Sequence, residues 1–374
     1  MATYDYTEAQ FGSKIDATGL FTSEESDAIL DALERAGVFN SGSTAGDKVR
    51  TDTIPVDETA AAGMEVAFYE GAPEGDIVLD PAARAAIFAT NDDVDLTFSS
   101  HGPSSARTAI VTGDGDDSIT SLGGSNDAIL VFEGDNTVQA GGGDDTIVAG
   151  SGDDLIEAGS GNDLVIVGAG DNHVDLGGGD DIVIAGDGDD TILGGSGADL
   201  IFAGAGDNTI EGGSGADTIQ AGGGDDSIVA GSGADVILAG DGNNYIDGGT
   251  DSDSIVAGGG DDTIIGGTGD DTIIGGGGND TIDGGNGNDL IYAGEGGSSS
   301  ILGGNGNDTI FADGAGDTIV GGSGADVLNV TGFTFDQVTG SQTIGGVTTI
   351  TFDTGDTLTY SGVETIIYKE PGNV

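Results

Sequence analysis

The chain has no cysteine and no tryptophan, five prolines and only seven basic residues among its 374. Without cysteine there is no disulfide staple and no thiolate-bound zinc, and folding needs no oxidising compartment. Long apolar runs are missing too. No stretch approaches about eighteen consecutive apolar residues, so no membrane-spanning helix is expected. The opening MATYDYTEAQFGSK has neither a basic region nor an apolar one, so a cleaved export signal is not expected either. Seven cations face 67 Asp and Glu, for a net charge of −60. So acidic a polymer repels nucleic acid and anionic membrane, and neither is an expected partner. Catalytic signatures are also lacking: there is no H-E-x-x-H, no G-x-S-x-G and no P-loop, and His101 and His173 have no evident partners. Adjacent carboxylates such as Asp144 and Asp145 do not form an acid–base pair without a cleft between them. The expectation is a protein that is not an enzyme.

What the chain does have is a repeat. From residue 140 to residue 292 one nine-residue phrase is written seventeen times without a slip, beginning AGGGDDTIV, AGSGDDLIE, AGSGNDLVI. The fourth residue is Gly in sixteen copies, the sixth is Asp in fourteen and Asn in three, and the eighth is always Ile or Val. Seventy-six glycines would ordinarily point to disorder, but a strict phase argues for order. The first six residues of each unit predict a tight turn, the last three a minimal strand, and the eighth-position column a narrow dry core. All seven cations, Lys14, Arg35, Lys48, Arg50, Arg84, Arg107 and Lys369, lie outside this block. Stacked about 4.8 Å apart, facing carboxylates repel by about 0.9 kcal/mol per pair even in bulk water. A cation must therefore belong to the structure.

The pattern G-G-x-G-x-D-x-U-x resembles the RTX family of secreted bacterial proteins. With two one-residue slips, at Ser121 and within 293–302, the resemblance covers about residues 112–329. It implies an all-β fold, a parallel β-roll in which two nonapeptides make one coil of a two-sheet calcium-binding solenoid. It also implies that position-six carboxylates and turn carbonyls of successive coils enclose Ca²⁺, an all-oxygen donor set. Carried over residue by residue, the ligands are Asp117, Asp127, Asp145, Asp154, Asp163, Asp181, Asp190, Asp199, Asp217, Asp226, Asp235, Asp253, Asp262, Asp271, Asp280, Asp289, Asp308, Asp317 and Asp326. Export through a type I secretion channel, to the extracellular space or cell surface, is what the resemblance implies for localisation.

Separating the copies by parity gives two edges. One carries an unbroken Asp column from Asp145 to Asp289. On the other, Asn172, Asn208 and Asn244 interrupt the Asp residues every 36 positions, and Asn136 extends that series. The Asn-bearing edge is expected to hold calcium less tightly; drift after duplication of a 36-residue cassette is the open alternative. The outward positions differ as well. Position nine is apolar in eight of nine copies on one parity, with Val148, Ile166, Ile184, Phe202 and Leu238 among them. On the other parity Glu157, Asp175, Glu211, Asp247 and Asp283 interrupt it. An apolar strip of this length must be covered, either by the N-terminal region or by a second copy of the chain. The flat Thr array of an ice-binding face is missing.

The flanks read differently. Residues 1–111 form a small α+β N-terminal cap or assembly region, with a helix expected over Glu24–Ala36 and another capped by Asp80 and opened by Pro81. Residues 40–63 are expected to be loop-like, and strands are expected at Val66–Tyr69, Ile77–Leu79, Val94–Phe98 and Ala109–Val111. Residues 112–329 are the roll. Residues 330–374 are expected to form a β-rich C-terminal cap; GVETIIY resembles the tail of many RTX chains, and the resemblance implies a secretion signal within this region. The expected function is a calcium-dependent extracellular structural protein that self-assembles into a filament, surface layer or biofilm-matrix material, with itself as partner and a cell-surface or matrix component as anchor. The alternative is a monomeric adhesin-like binding module with the roll as a stiff spacer.

Overall fold

The computed structural model describes residues 4–6, 49–54, 66–69, 85–88, 92–98, 107–294, 296–314 and 316–369. The chain divides into two compact units, Met1–Asp187 and Gly188–Val374.

In the first unit the described strands up to Ala85–Phe88 lie in one sheet, and from there the chain alternates between two. One stacks Val49–Ile54, Val66–Tyr69, Ala85–Phe88, Arg107–Val111 and Asn126–Leu130, all in parallel. It continues through Thr146–Val148, Leu164–Ile166 and Ile182–Asp187 at a constant spacing, Thr146 facing Leu164 and Leu164 facing Ile182. The opposing sheet runs from Asp95–Phe98 through Ser118–Ser121, Thr137–Gln139 and Leu155–Ser160 to His173–Gly178. The polar Val49–Ile54, expected to be loop, is a strand because its β-branched Val, Thr and Ile suit an extended backbone despite their company. Tyr4–Tyr6 pairs with it antiparallel. The expected helix over Glu24–Ala36, together with Asp80, Pro81 and Ile77–Leu79, lies outside the described residues. The segment just after Pro81, Ala85–Phe88, is a buried strand.

The second unit repeats the plan. One sheet stacks strands from Leu200–Ala205 to Val327–Thr334, the other from Thr191–Ser196 to Thr318–Ser323, with every neighbouring pair parallel. After Val327–Thr334 the glycine phrase stops and the pattern changes. A 3-10 turn at Phe335–Gln337 leads into an antiparallel meander of Val338–Ile344, Val347–Phe352 and Thr357–Ser361. Thr357–Ser361 lies parallel on Thr318–Ser323, and Thr365–Lys369 on Val327–Thr334, so each sheet receives one closing strand. That 3-10 turn is the one helical piece among the described residues, and no helix among them is long and apolar enough to cross a membrane.

The regular strands are longer than expected. Thr209–Ser214 and Ser227–Ser232 use positions seven to nine and then one to three of the next unit, leaving only positions four to six for the turn. Gly213 holds a φ of 104° and still pairs in register with Gly195, whose carbonyl a side chain on Gly213 would overlap. The longer strand also explains the core. Positions eight and one share its inward face, so Ile210, Ile228 and Ile246 are fully buried together with small residues such as Ala221, Ala230 and Ala239. Each buried Ile contributes about 1.5–3 kcal/mol. Both sequence slips are absorbed in turns: Ser118 faces Thr137 and Thr281 faces Ser300, one residue beyond the usual spacing, with the ladder intact.

Candidate metal centre

Each turn places its position-six side chain inward, under the strand that follows. There one carboxylate oxygen has a fixed task. Oδ1 of Asp163 accepts the backbone N–H of Asp145 at 2.6 Å, and Asp145 in turn accepts that of Asp127 at 2.6 Å. The second unit repeats this ladder, with Asp217, Asp235, Asp253, Asp271 and Asp289 each accepting from the coil before at 2.7–2.9 Å. Each side chain thereby locks to the turn of its neighbour.

The other oxygen has no such partner. Oδ2 of Asp117, Asp145, Asp154, Asp163, Asp217, Asp226, Asp235, Asp253, Asp262, Asp271, Asp280, Asp289, Asp308 and Asp326 is buried and receives no hydrogen bond. A buried, unsatisfied anionic oxygen is costly. Burial pushes the carboxyl of Asp145 up to about 8, against an ordinary 3.8, with the Asp127 N–H opposing and the charges of Asp127, Asp163 and Asp144 adding to the rise. Burial likewise lifts Asp253 and Asp289 to about 7, and Asp154, Asp163, Asp181, Asp235 and Asp262 to about 6. Each therefore ionises less readily than an exposed Asp, and a cation held beside it would favour the ionised form.

The donors available suit a hard cation. No three acidic or imidazole side chains converge among the described residues, so an ion here would rest on one or two carboxylates completed by carbonyls. Such convergence is visible beside position-one glycines. A point one bond from the Gly212 Cα lies 2.8 Å from Asp217 Oδ2 and 2.6 Å from the Ala230 carbonyl oxygen; the equivalent point at Gly248 lies 2.8 Å from Asp253 Oδ2 and 2.7 Å from the Gly266 carbonyl. Soft or imidazole donors are absent from the turns. The residues therefore fit calcium, which would supply the charge that the stacked carboxylates lack.

Two of the expected ligands stand apart. Asp127 receives the hydroxyls of Ser121 and Ser125 at 2.8 and 2.9 Å, one on each oxygen. Asp317 receives the N–H of Ser299 and of Gly314 at 3.0 and 3.2 Å. Asp181, Asp190 and Asp199 occupy the same buried position as the remaining residues of the column. His173 is an exposed strand residue, and His101 lies outside the described residues.

A second ladder went unnoticed in the sequence. Position-five side chains sit at the exposed side of the same turns and accept backbone N–H groups in the opposite sense. Asp135 accepts from Asp153 at 2.9 Å, Asp144 from Asn162 at 3.1 Å and Asp207 from Asp225 at 2.7 Å. The prevalence of Asp and Asn at position five was its signal, there to be read as turn chemistry rather than as surface charge.

No curated protein matches the chain. The family profile described as RTX calcium-binding nonapeptide repeat matches it in overlapping copies from residue 132 to residue 328, the first at 132–165 and the last at 294–328, more than half of the sequence. With carboxylate columns that call for a cation and that profile running through both units, the chain belongs to the RTX calcium-binding repeat family, and its repeats bind calcium in several copies.

Proposed function

We propose that this protein is an extracellular structural element that leaves the cell unfolded by type I secretion, folds when calcium fills its turns, and then associates with further copies of itself into a filament, surface layer or matrix. The calcium-binding β-roll is the established part. The buried Oδ2 columns support ion-coupled folding: an ordered roll with these carboxylates ionised and no counter-charge carries a large penalty, whereas millimolar extracellular calcium removes it by mass action.

The observation that carries self-association is the unequal outer surface of the two sheets. In the first unit Ile182 and Ile184 are 39% and 43% exposed on one sheet, whose other outward positions include Leu164 and Ile166. In the second unit the same outward positions expose Val236, Leu238, Ile274 and Tyr292. The opposite sheet also exposes apolar residues, Leu155 in the first unit and Val229 and Tyr245 in the second, but acidic side chains such as Glu157 and Glu211 at position nine break them up. A second copy of the same apolar face is a matched cover for such a surface. Light scattering of the full chain with chelator and with millimolar calcium tests the reading. Calcium-dependent growth in mass, lost in a Leu238→Glu, Ile274→Glu variant that still gains β-structure with calcium, is the expected result. A compact monomer at every calcium concentration would instead favour an adhesin-like module with the roll as a stiff spacer.

A further inference from the structure

We propose that Asn136, Asn172, Asn208 and Asn244 make cation-free turns, in which the side-chain amide nitrogen fills the role that calcium fills elsewhere in the roll. The inference rests on the calcium-coupled fold proposed above and concerns which turns take part in it.

The argument is a comparison of two side chains of nearly equal shape in equivalent surroundings. At Asp217, Oδ1 accepts the backbone N–H of Asp199 at 2.9 Å; at Asn208, Oδ1 accepts the backbone N–H of Asp190 at 3.0 Å. Both residues are 1% exposed. The ladder bond fixes the orientation of each, so the second branch of the side chain points to the same corner of the turn. In Asp217 that corner holds an anionic oxygen with no donor. In Asn208 it holds Nδ2, which donates to the Gly206 carbonyl at 3.1 Å and to Asp226 Oδ1 at 3.0 Å.

The arrangement recurs at all four asparagines. Asn136 Nδ2 donates to the carbonyls of Phe132 and Gly134 at 3.1 and 2.9 Å and to Asp154 Oδ1 at 2.9 Å. Asn172 Nδ2 donates to those of Gly168 and Gly170 at 3.4 and 3.0 Å, and Asn244 Nδ2 to that of Gly242 at 3.3 Å. The position-four carbonyl is an acceptor every time. An amide supplies two N–H donors and no charge, so it satisfies inward carbonyls with no ion present. Asn136 and Asn208 each also lend a donor to the next carboxylate in the column, Asp154 and Asp226.

The consequence is an asymmetric roll. In the first unit the turn pairs Asn136–Asp154 and Asp154–Asn172 each contain one neutral, self-closed member; in the second unit so do Asp190–Asn208, Asn208–Asp226, Asp226–Asn244 and Asn244–Asp262. This edge is thereby spared part of the repulsion that holds the other edge open without calcium. Calcium loading is heavier on the column made of Asp alone, while Asp154, Asp226, Asp262 and Asp280 keep unpartnered oxygens on the Asn-bearing edge.

The test is calcium stoichiometry of the full chain, by equilibrium dialysis and metal analysis at saturating calcium, with the far-UV circular dichroism midpoint of calcium-induced folding as a second readout. The triple variant Asn172→Asp, Asn208→Asp, Asn244→Asp is expected to bind more calcium per chain than the unaltered protein, about one ion for each carboxylate restored, and to need a higher calcium concentration to fold. An unchanged ion count overturns the inference. Should the triple variant not fold even in saturating calcium, the reverse change decides. Asp217→Asn is expected to lower the ion count and to fold at lower calcium, and an unchanged count or a raised midpoint overturns it. An unaltered chain that binds no calcium sinks the calcium-coupled fold itself, a result distinguishable from any difference between variants.

Discussion

At the scale of the residue, glycine and aspartate divide the work of the turn, and neighbouring positions test that division. Gly278, at position four, has a φ of 136°, and an added Cβ would overlap the Gly260 carbonyl; Gly277 beside it has no such φ and open space around it. Gly278→Ala is expected to cost about 3 kcal/mol or more and Gly277→Ala close to nothing, read as the shift in the calcium midpoint of folding. The converse case is Asp251, which occupies a position-four slot at a φ of 77°. Asp251→Gly should stabilise the chain by about 1 kcal/mol. The carboxylates add a pH dependence whose sign is fixed by their direction of shift. Asp145, near 8, and Asp253 and Asp289, near 7, hold protons in the calcium-free folded state that the unfolded chain releases near 3.8. Folding without calcium is therefore favoured as pH falls from about 8 towards 4, and calcium must displace protons to bind. In chelator the β-signal should be stronger at pH 5 than at pH 8, and titration with calcium at pH 7 should release acid. A calcium affinity independent of pH would contradict these shifts. All of these residues were legible in the sequence, because a turn that only glycine tolerates and a carboxylate every nine residues leave a periodic mark. The Nδ2 bonds of the asparagines were not, since the identity of an amide says nothing of which oxygen it will face.

At the scale of the element, each strand is a thin wall with a dry side and a wet one. Ile237 is fully buried and Leu238 beside it is 41% exposed. Ile237→Ala should cost about 2–5 kcal/mol and Leu238→Ala less than about 0.5, measured by thermal unfolding in saturating calcium. Equal costs would mean that the strand does not alternate as described. Period-two alternation was readable from Ile and Val at position eight. The full length of the strand was not, because its second half is written in glycine, a residue that ordinarily marks a turn. Gly213 and Gly231 are strand residues only because a parallel neighbour meets each of them in register, which is a tertiary fact. Val49–Ile54 is a different case, since its β-branched Val, Thr and Ile already favour a strand and pairing with Val66–Tyr69 completes it.

At the scale of the whole molecule, a net charge of −60 opposes compaction in two separable ways. Exposed carboxylates at position five repel over distances that salt screens, with a Debye length of about 3 Å at 1 M ionic strength. The position-six carboxylates are buried, and monovalent salt in bulk solvent does not supply them with a ligand. Periodicity made the need for a cation visible in the sequence, but not this division between screened and buried charge, which depends on the direction in which each side chain leaves the turn. The two contributions predict different responses. In chelator at pH 8, 1 M sodium chloride should leave the far-UV spectrum largely that of an unfolded chain, whereas millimolar calcium at low salt should restore the β-signal cooperatively. Magnesium at the same concentration should restore it poorly, because it holds its waters and demands near-octahedral geometry that one carboxylate with backbone carbonyls does not offer. If sodium chloride alone folded the chain as completely as calcium, general screening would account for folding, and the buried columns would not be the element that calcium controls.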